Sequence, residues 1–172
     1  MMQIKIELDA DGDLPDLYAK AAPETATVNG TPVISFPFEV LNIPKSANYL
    51  AWTLIDADAI PVTGFAWIHW TMADVPVTGR NLVIPADFSR ETSAGVQGLN
   101  SQASKFVGET DPALTMRYTG PMPPDQPHAY RLEVFAMPEL LGLVSGYFLN
   151  EQYRALTGNV LEKTHLDIWA KN

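Results

Sequence analysis

Polar and apolar positions alternate one for one at the start of the chain. Gln3, Lys5 and Glu7 fall on one side, and Ile4, Ile6 and Leu8 on the other. This period of two predicts a strand with one face on a core. The alternation returns over 33–43, where Ser35, Pro37 and Glu39 separate Phe36, Phe38 and Val40. Pro37 cannot donate to a sheet ladder, so this stretch is expected at an edge or a bulge. It returns again over 130–137, with Leu132, Val134 and Ala136 against Arg131, Glu133 and Phe135. Two continuous apolar runs, 49–55 and 65–72, read as buried strands. After Pro138 the spacing changes. Leu140, Leu141, Val144, Phe148, Tyr153 and Leu156 recur at helical intervals. They predict a helix over 140–156, broken near Gly146 and stopped at Gly158-Asn159. Residues 160–169 fit a helix, or a last strand over 166–169.

The segments between these have weaker signals. Residues 14–22, bracketed by Pro15 and Pro23, read as a short helix or an irregular segment, and 114–118 as a short strand. No period holds from 76 to 114, so a long loop is expected there, of a kind that is often ligand-facing. Residues 119–127 carry Pro121, Pro123, Pro124 and Pro127 and exclude regular structure. With no repeat and no linker, the pattern is one β-dominated domain over 1–172 with a small helical tail.

Composition narrows the class. The chain is 47% hydrophobic and 18% charged, which is enough apolar surface for a core and too little charge for disorder. Its formal net charge of -9 argues against general nucleic-acid binding, which needs Lys and Arg against phosphate. The absence of cysteine removes disulfides, thiolate zinc sites and a cysteine nucleophile. The first residues turn acidic without an apolar signal region, and no window has the length of a transmembrane helix. A cytoplasmic protein is expected. Asn29-Gly30-Thr31 reads as a tight turn. Asp9, Asp11 and Asp13 lack the calcium-loop positions of glycine and the last glutamate, and read as a solvated acidic turn.

The candidate chemistry lies between the two apolar runs. Asp56 and Asp58 close the first, Pro61 and Gly64 follow, and His69 sits inside the second, flanked by Trp67 and Trp70. A polar group buried without a partner costs about 1–3 kcal/mol or more, so these groups either satisfy one another or line a pocket. A hairpin would bring the two acids towards His69, and a carboxylate beside an imidazole raises its pKa. His128, after the proline-rich loop, opens the strand that ends at Met137. His165 has no such company. The two histidines have no standard metal spacing, and no nucleophile elbow, phosphate loop, dinucleotide fingerprint or zinc helix motif is present. Asp56 and Asp58 fit an acid/base pair or, more simply, turn-capping groups.

In this order the residues resemble the phosphatidylethanolamine-binding protein family, in particular its bacterial Raf-kinase-inhibitor-like branch. Asp56-Ala57-Asp58-Ala59-Ile60-Pro61 is similar to the family's D-P-D-A-P signature. Trp67-Ile68-His69-Trp70 through Val75-Pro76 resembles its aromatic-His-aromatic strand. Gly120-Pro121-Met122-Pro123-Pro124 with His128-Ala129-Tyr130 resembles its G-x-x-P-P…H-R-Y block, and Gly98-Leu99-Asn100-Ser101 a glycine-asparagine segment of bacterial members. The resemblance spans about residue 33 to the C-terminus. It implies a mainly β fold, a Greek-key sandwich of two antiparallel sheets with short peripheral helices near the C-terminus. It also implies a small cavity at one end of the sheets that takes phosphate, acetate or a phosphoethanolamine head group. Carried over by position, the ligand-binding residues are Asp56, Asp58, His69, Pro124, His128 and Tyr130.

Three departures stand out. Ala57 replaces proline and Ile60 is inserted, which requires a remodelled turn. Ala129 replaces the arginine of H-R-Y, which is expected to remove a cation near the pocket. Asp125-Gln126-Pro127 replaces the usual glycine and puts a negative charge near the mouth.

The leading reading is a non-catalytic protein that binds a small anion or phospholipid head group through His69, His128 and the Tyr130 hydroxyl, and that regulates a partner kinase or protease. No cofactor or metal is implied. Affinity is expected to rise as pH falls through an imidazole pKa of about 6.5. Two alternatives stand beside it: a hydrolase using Asp58 with His69 or His128 as acid and base, and an interaction protein whose pocket is vestigial. The aromatic strands leave room for a homodimer.

Overall fold

The computed structural model describes residues 1–172. In chain order its elements are β1 (Gln3–Lys5), β2 (Thr27–Val28), β3 (Thr31–Pro32), β4 (Phe38–Leu41), β5 (Tyr49–Asp56), α1 (Ile60–Thr63) and β6 (Trp67–Pro76). There follow β7 (Leu82–Ile84), α2 (Phe88–Glu91), β8 (Val96–Gln97), α3 (Pro112–Thr115), β9 (His128–Met137), α4 (Leu149–Leu156) and β10 (Glu162–Ala170).

The two apolar runs form the centre of a five-stranded sheet of order β10-β9-β5-β6-β8, antiparallel throughout. β9 returns after a long connection to lie beside β5, so β9-β5-β6-β8 has the spatial order of a Greek key. A smaller antiparallel sheet, β1-β4-β7, covers one face. Leu50, Trp52 and Leu54 of β5 and Leu132, Val134 and Ala136 of β9 point into the layer between them, where they meet Phe38 and Val40 of β4. Trp52 and Trp70 pack edge-on at 5.1 Å, and Phe38 meets Trp52 at 5.4 Å, the offset geometry that aromatic rings prefer. A second apolar cluster of Ala51, Ala73, Phe135, Met137, Tyr147 and Leu156 lies on the other face, beneath α4.

Several sequence expectations hold. Asn29 and Gly30 both have positive φ and join β2 to β3, as a two-residue hairpin loop requires. The turn of Asp9, Asp11 and Asp13 gathers the Lys171 ammonium, with Nζ 2.9 Å from Asp9 and 2.8 Å from Asp11. Residues 162–170 are a strand, the second of the two options.

Others are corrected. Only 149–156 of the expected 140–156 helix forms. Gly142 and Gly146 adopt left-handed φ, and the Asp74 carboxylate takes the Leu141 and Gly142 amides that a helix would have used. The expected strand at 114–118 gives way to α3, started by Asp111, whose side chain accepts from the Ala113 amide. The loop from 76 to 114 is divided by β7, α2, β8 and a 3₁₀ turn at Ser101–Ala103. Pro37 stands just before β4, which is central in its sheet and not at an edge.

Candidate functional site

At one end of the five-stranded sheet, the last residue of β5 and the first residues of β6 and β9 open onto a cavity of about 170 Å³. Asp56, Trp67, His69, His128 and Tyr130 reach it from the strands, and Ala59 and Val62 from the turn around α1. Gln102, Thr119, Gly120, Met122 and Pro124 line it from the loops, and Thr31 from the small hairpin.

His128 is the electrostatic centre. Its Nδ1 is 2.8 Å from Asp56 Oδ2 and its Nε2 is 3.0 Å from Asp125 Oδ1. A carboxylate at each nitrogen favours the protonated ring, in which both nitrogens donate. Burial works against that charge, but the hydrogen bond and charge of Asp56, reinforced by Asp125, outweigh it and hold the pKa above 6.5. The other oxygen of Asp56 accepts from the Ala59 amide at 3.0 Å, which fixes the carboxylate behind the ring.

His69 is set the other way. Leu54 pairs with Trp70 and Ile55 with Ile68, so His69 is an extra residue in the ladder. This bulge puts His69 in the cavity and leaves the next side chain, Trp70, in the core as well; strict alternation would have sent one of them to the outer face. The freed backbone groups find partners elsewhere: the Ile68 amide donates to Ser101 Oγ at 2.8 Å, and His69 O accepts from the Thr119 amide at 3.1 Å. The ring Nδ1 donates to Thr119 O at 2.8 Å, which leaves Nε2 as an acceptor. Burial dominates and lowers the His69 pKa to about 4 despite that bond and the pull of Asp56. Tyr130 stands edge-on to His69 at 5.1 Å, and burial followed by the Asp56 charge raises its hydroxyl well above the ordinary tyrosine range.

The phosphatidylethanolamine-binding protein family model matches residues 6–169. The chain belongs to the phosphatidylethanolamine-binding protein family. It is similar to the Bacillus subtilis protein YxkA, with 41% identity over 168 residues that cover 98% of this chain and 99% of the relative. Two solved structures share the fold. The phosphatidylethanolamine-binding protein homolog CT736 of Chlamydia trachomatis superposes with a TM-score of 0.75 at 22% identity, covering 99% of this chain and 97% of the other. Escherichia coli YbcL, described as a member of the mammalian family, superposes with a TM-score of 0.74 at 21% identity, covering 99% and 98%.

Within this family framework, five of the six expected residues come together: Asp56, His69, Pro124, His128 and Tyr130 line the cavity. Asp58 does not. It is exposed and its Oδ2 accepts from the Ala129 amide at 2.9 Å, so it caps the start of β9 and makes no pair with either histidine. The acid expected near His69 goes to His128 instead. Ala129 is also displaced from its expected place. It follows His128 in the strand, so it faces outward with Arg131 and Glu133 into a separate depression beside Asp58. Replacing the family's arginine there takes no cation out of the cavity. The inserted Ile60 opens α1, with Pro61 in its first turn and Gly64 at φ 88° ending it. No helix is long and apolar enough to cross a membrane.

Sequence reasoning missed the roles of Trp67, Gln102, Thr119 and Gly120. Trp67 was within reach, because it stands opposite Asp56 once the hairpin register is known. Gly120 lies in the quoted G-x-x-P-P block; its reason is a close approach, since a Cβ there would fall 2.4 Å from Tyr18 O and 2.7 Å from Pro32 Cβ.

Proposed function

We propose that the cavity binds a small oxyanion, such as phosphate or the phosphoryl part of a phosphoethanolamine head group, without turning it over. One observation carries this reading. His128, a cavity-lining ring backed at Nδ1 by the buried Asp56 carboxylate, already holds an oxyanion at Nε2, the Asp125 carboxylate. A ligand oxygen would take the same place. Tyr130 adds a hydroxyl that keeps its proton. His69 adds an acceptor, suited to a protonated phosphate oxygen or to an ammonium, rather than the second cation expected from sequence. The hydrolase alternative has less support, because Asp58 accepts from the Ala129 amide and pairs with neither histidine. Val62 and Met122 of the cavity lining, with Ile60 and Phe65 on either side of Val62 in the chain, are exposed apolar side chains that offer a partner protein a contact surface.

An NMR titration with phosphate and with phosphoethanolamine tests this. Saturable shifts are expected at His69, His128 and Tyr130. A charge-assisted hydrogen bond contributes about 1.5–3 kcal/mol, so His128→Ala should weaken binding by about 10-fold to 100-fold. The pH dependence follows His128, not the unperturbed value: affinity holds below 6.5 and falls as pH rises through the raised pKa. Sulfate, which keeps its charge throughout, isolates that titration from the ligand's own. Unchanged affinity in His128→Ala would refute the assignment. An absence of shifts at millimolar ligand would leave the vestigial-pocket alternative.

A further inference from the structure

The second carboxylate on His128 is one more than neutrality needs. Asp56, almost fully buried, already balances the imidazolium from Nδ1. Asp125 is half exposed, yet its Oδ1 sits 3.0 Å from Nε2 of a ring that is itself only 1% exposed. Two carboxylates thus face one imidazole, which can balance the charge of one of them at most. Asp125 stays there because its loop is fastened. Lys20 Nζ donates to Pro123 O at 3.0 Å, and Asn172 Nδ2 donates to the Asp125 carbonyl at 3.2 Å. Four prolines between 121 and 127 further limit the conformations the loop loses on ordering. A group tethered in this way acts at an effective concentration of about millimolar or more.

We propose that Asp125 is a tethered competitor for the ligand position on His128 Nε2, and so sets the threshold that any anion must overcome to enter the cavity; this rests on the anion-binding reading above. A free monocarboxylate that enters exchanges one carboxylate for another. It gains no charge and no new kind of bond, and it must overcome the tethered group. A phosphate brings further acceptor oxygens, and a phosphomonoester above its second pKa of about 6 brings a further charge as well. Thr119 lines the cavity and has a fully buried hydroxyl without a hydrogen-bond partner. Asp125, released, turns into the solvent that half surrounds it already. Displacing Asp125 costs every anion the same, so an anion binds well only when it makes further bonds in the cavity, as the extra oxygens of a phosphoryl group do.

The test titrates acetate and inorganic phosphate separately into the wild type, Asp125→Ala, Asp125→Asn and the charge control Asp16→Asn, at constant ionic strength and about pH 6.5. The NMR signals of His128 and Thr119 report binding. Acetate affinity is expected to rise by about tenfold or more in Asp125→Ala, less in Asp125→Asn, whose amide oxygen still accepts from Nε2, and not in Asp16→Asn. Phosphate is expected to gain by a similar factor, because both anions displace the same group. Acetate affinity within about twofold of wild type in Asp125→Ala, with phosphate still bound, would overturn the competitor role and leave the anion cavity standing. A gain of similar size in Asp16→Asn would overturn it as well, because the effect would then be one of net charge and not of competition at Nε2. If neither anion binds any of these proteins, both this inference and the anion reading fall.

Discussion

Burial alone would lower the pKa of both imidazoles in the cavity. His69 follows it, because its bond to a neutral carbonyl compensates little. His128 does not, because two carboxylates answer its charge. The linkage signs are opposite. For His69 the unfolded chain takes up the proton more readily, so stability falls as pH drops from 6.5 towards 4. For His128 the folded chain holds the proton more tightly. Its contribution is full below 6.5 and is lost as pH rises through the raised value. These two groups together place maximum stability near pH 6.5. Urea unfolding at about pH 5, 6.5 and 8 should give the highest midpoint in the middle. His69→Gln should flatten the acid side and leave the alkaline side. A wild-type midpoint at pH 5 above that at pH 6.5 would contradict this assignment.

At the scale of elements, α4 is held to the sheet by two buried side chains, Leu156 in the apolar cluster and Gln152. Gln152 Nε2 donates to Trp52 O at 3.3 Å and to Met72 O at 3.1 Å, where the β5–β6 register shifts. Glu151 caps the same helix by accepting from the Phe148 amide at 2.7 Å. Gln152→Leu keeps the size but strands both carbonyls, and should lower stability by about 1–3 kcal/mol in urea unfolding. A loss under about 0.5 kcal/mol would mean that the sheet relaxes to satisfy them itself. The helical spacing that began at Leu140 was only partly a helix for a related reason. Asp74, at φ 62° in the bulged stretch of β6, competes for the amides of 141 and 142. Apolar spacing records which residues are buried, not which backbone group satisfies which.

On the scale of the molecule, the cavity needs the N-terminal third as its back wall. Gly120 donates to Pro32 O at 2.8 Å, and the Tyr118 hydroxyl donates to Tyr18 O at 2.6 Å. No Cβ fits between Gly120 and that wall. Gly120→Ala should therefore destabilise the fold by about 1–3 kcal/mol and weaken phosphate binding by displacing the loop. Gly79→Ala, where a Cβ meets nothing nearer than 4.0 Å, is the matching control and should be neutral in both assays. Equal behaviour of the two variants in thermal unfolding would refute the close-packing argument.

The strand alternation, the two apolar runs and the three motif blocks determined the sheets and which strand ends carry polar groups, because burial on one face imposes a period of two whatever the neighbours are. They also placed His69, His128 and Tyr130 correctly on the inward side. Which acid meets which histidine was decided only in three dimensions. Asp56 is closer in sequence to His69, but antiparallel pairing sets it against Tyr130 of β9, two residues from His128. The bulge at His69, the outward face of Ala129 and the Asp125–His128 contact are likewise matters of register. Register is fixed by the sum of contacts across a sheet, and no local stretch of sequence contains that sum.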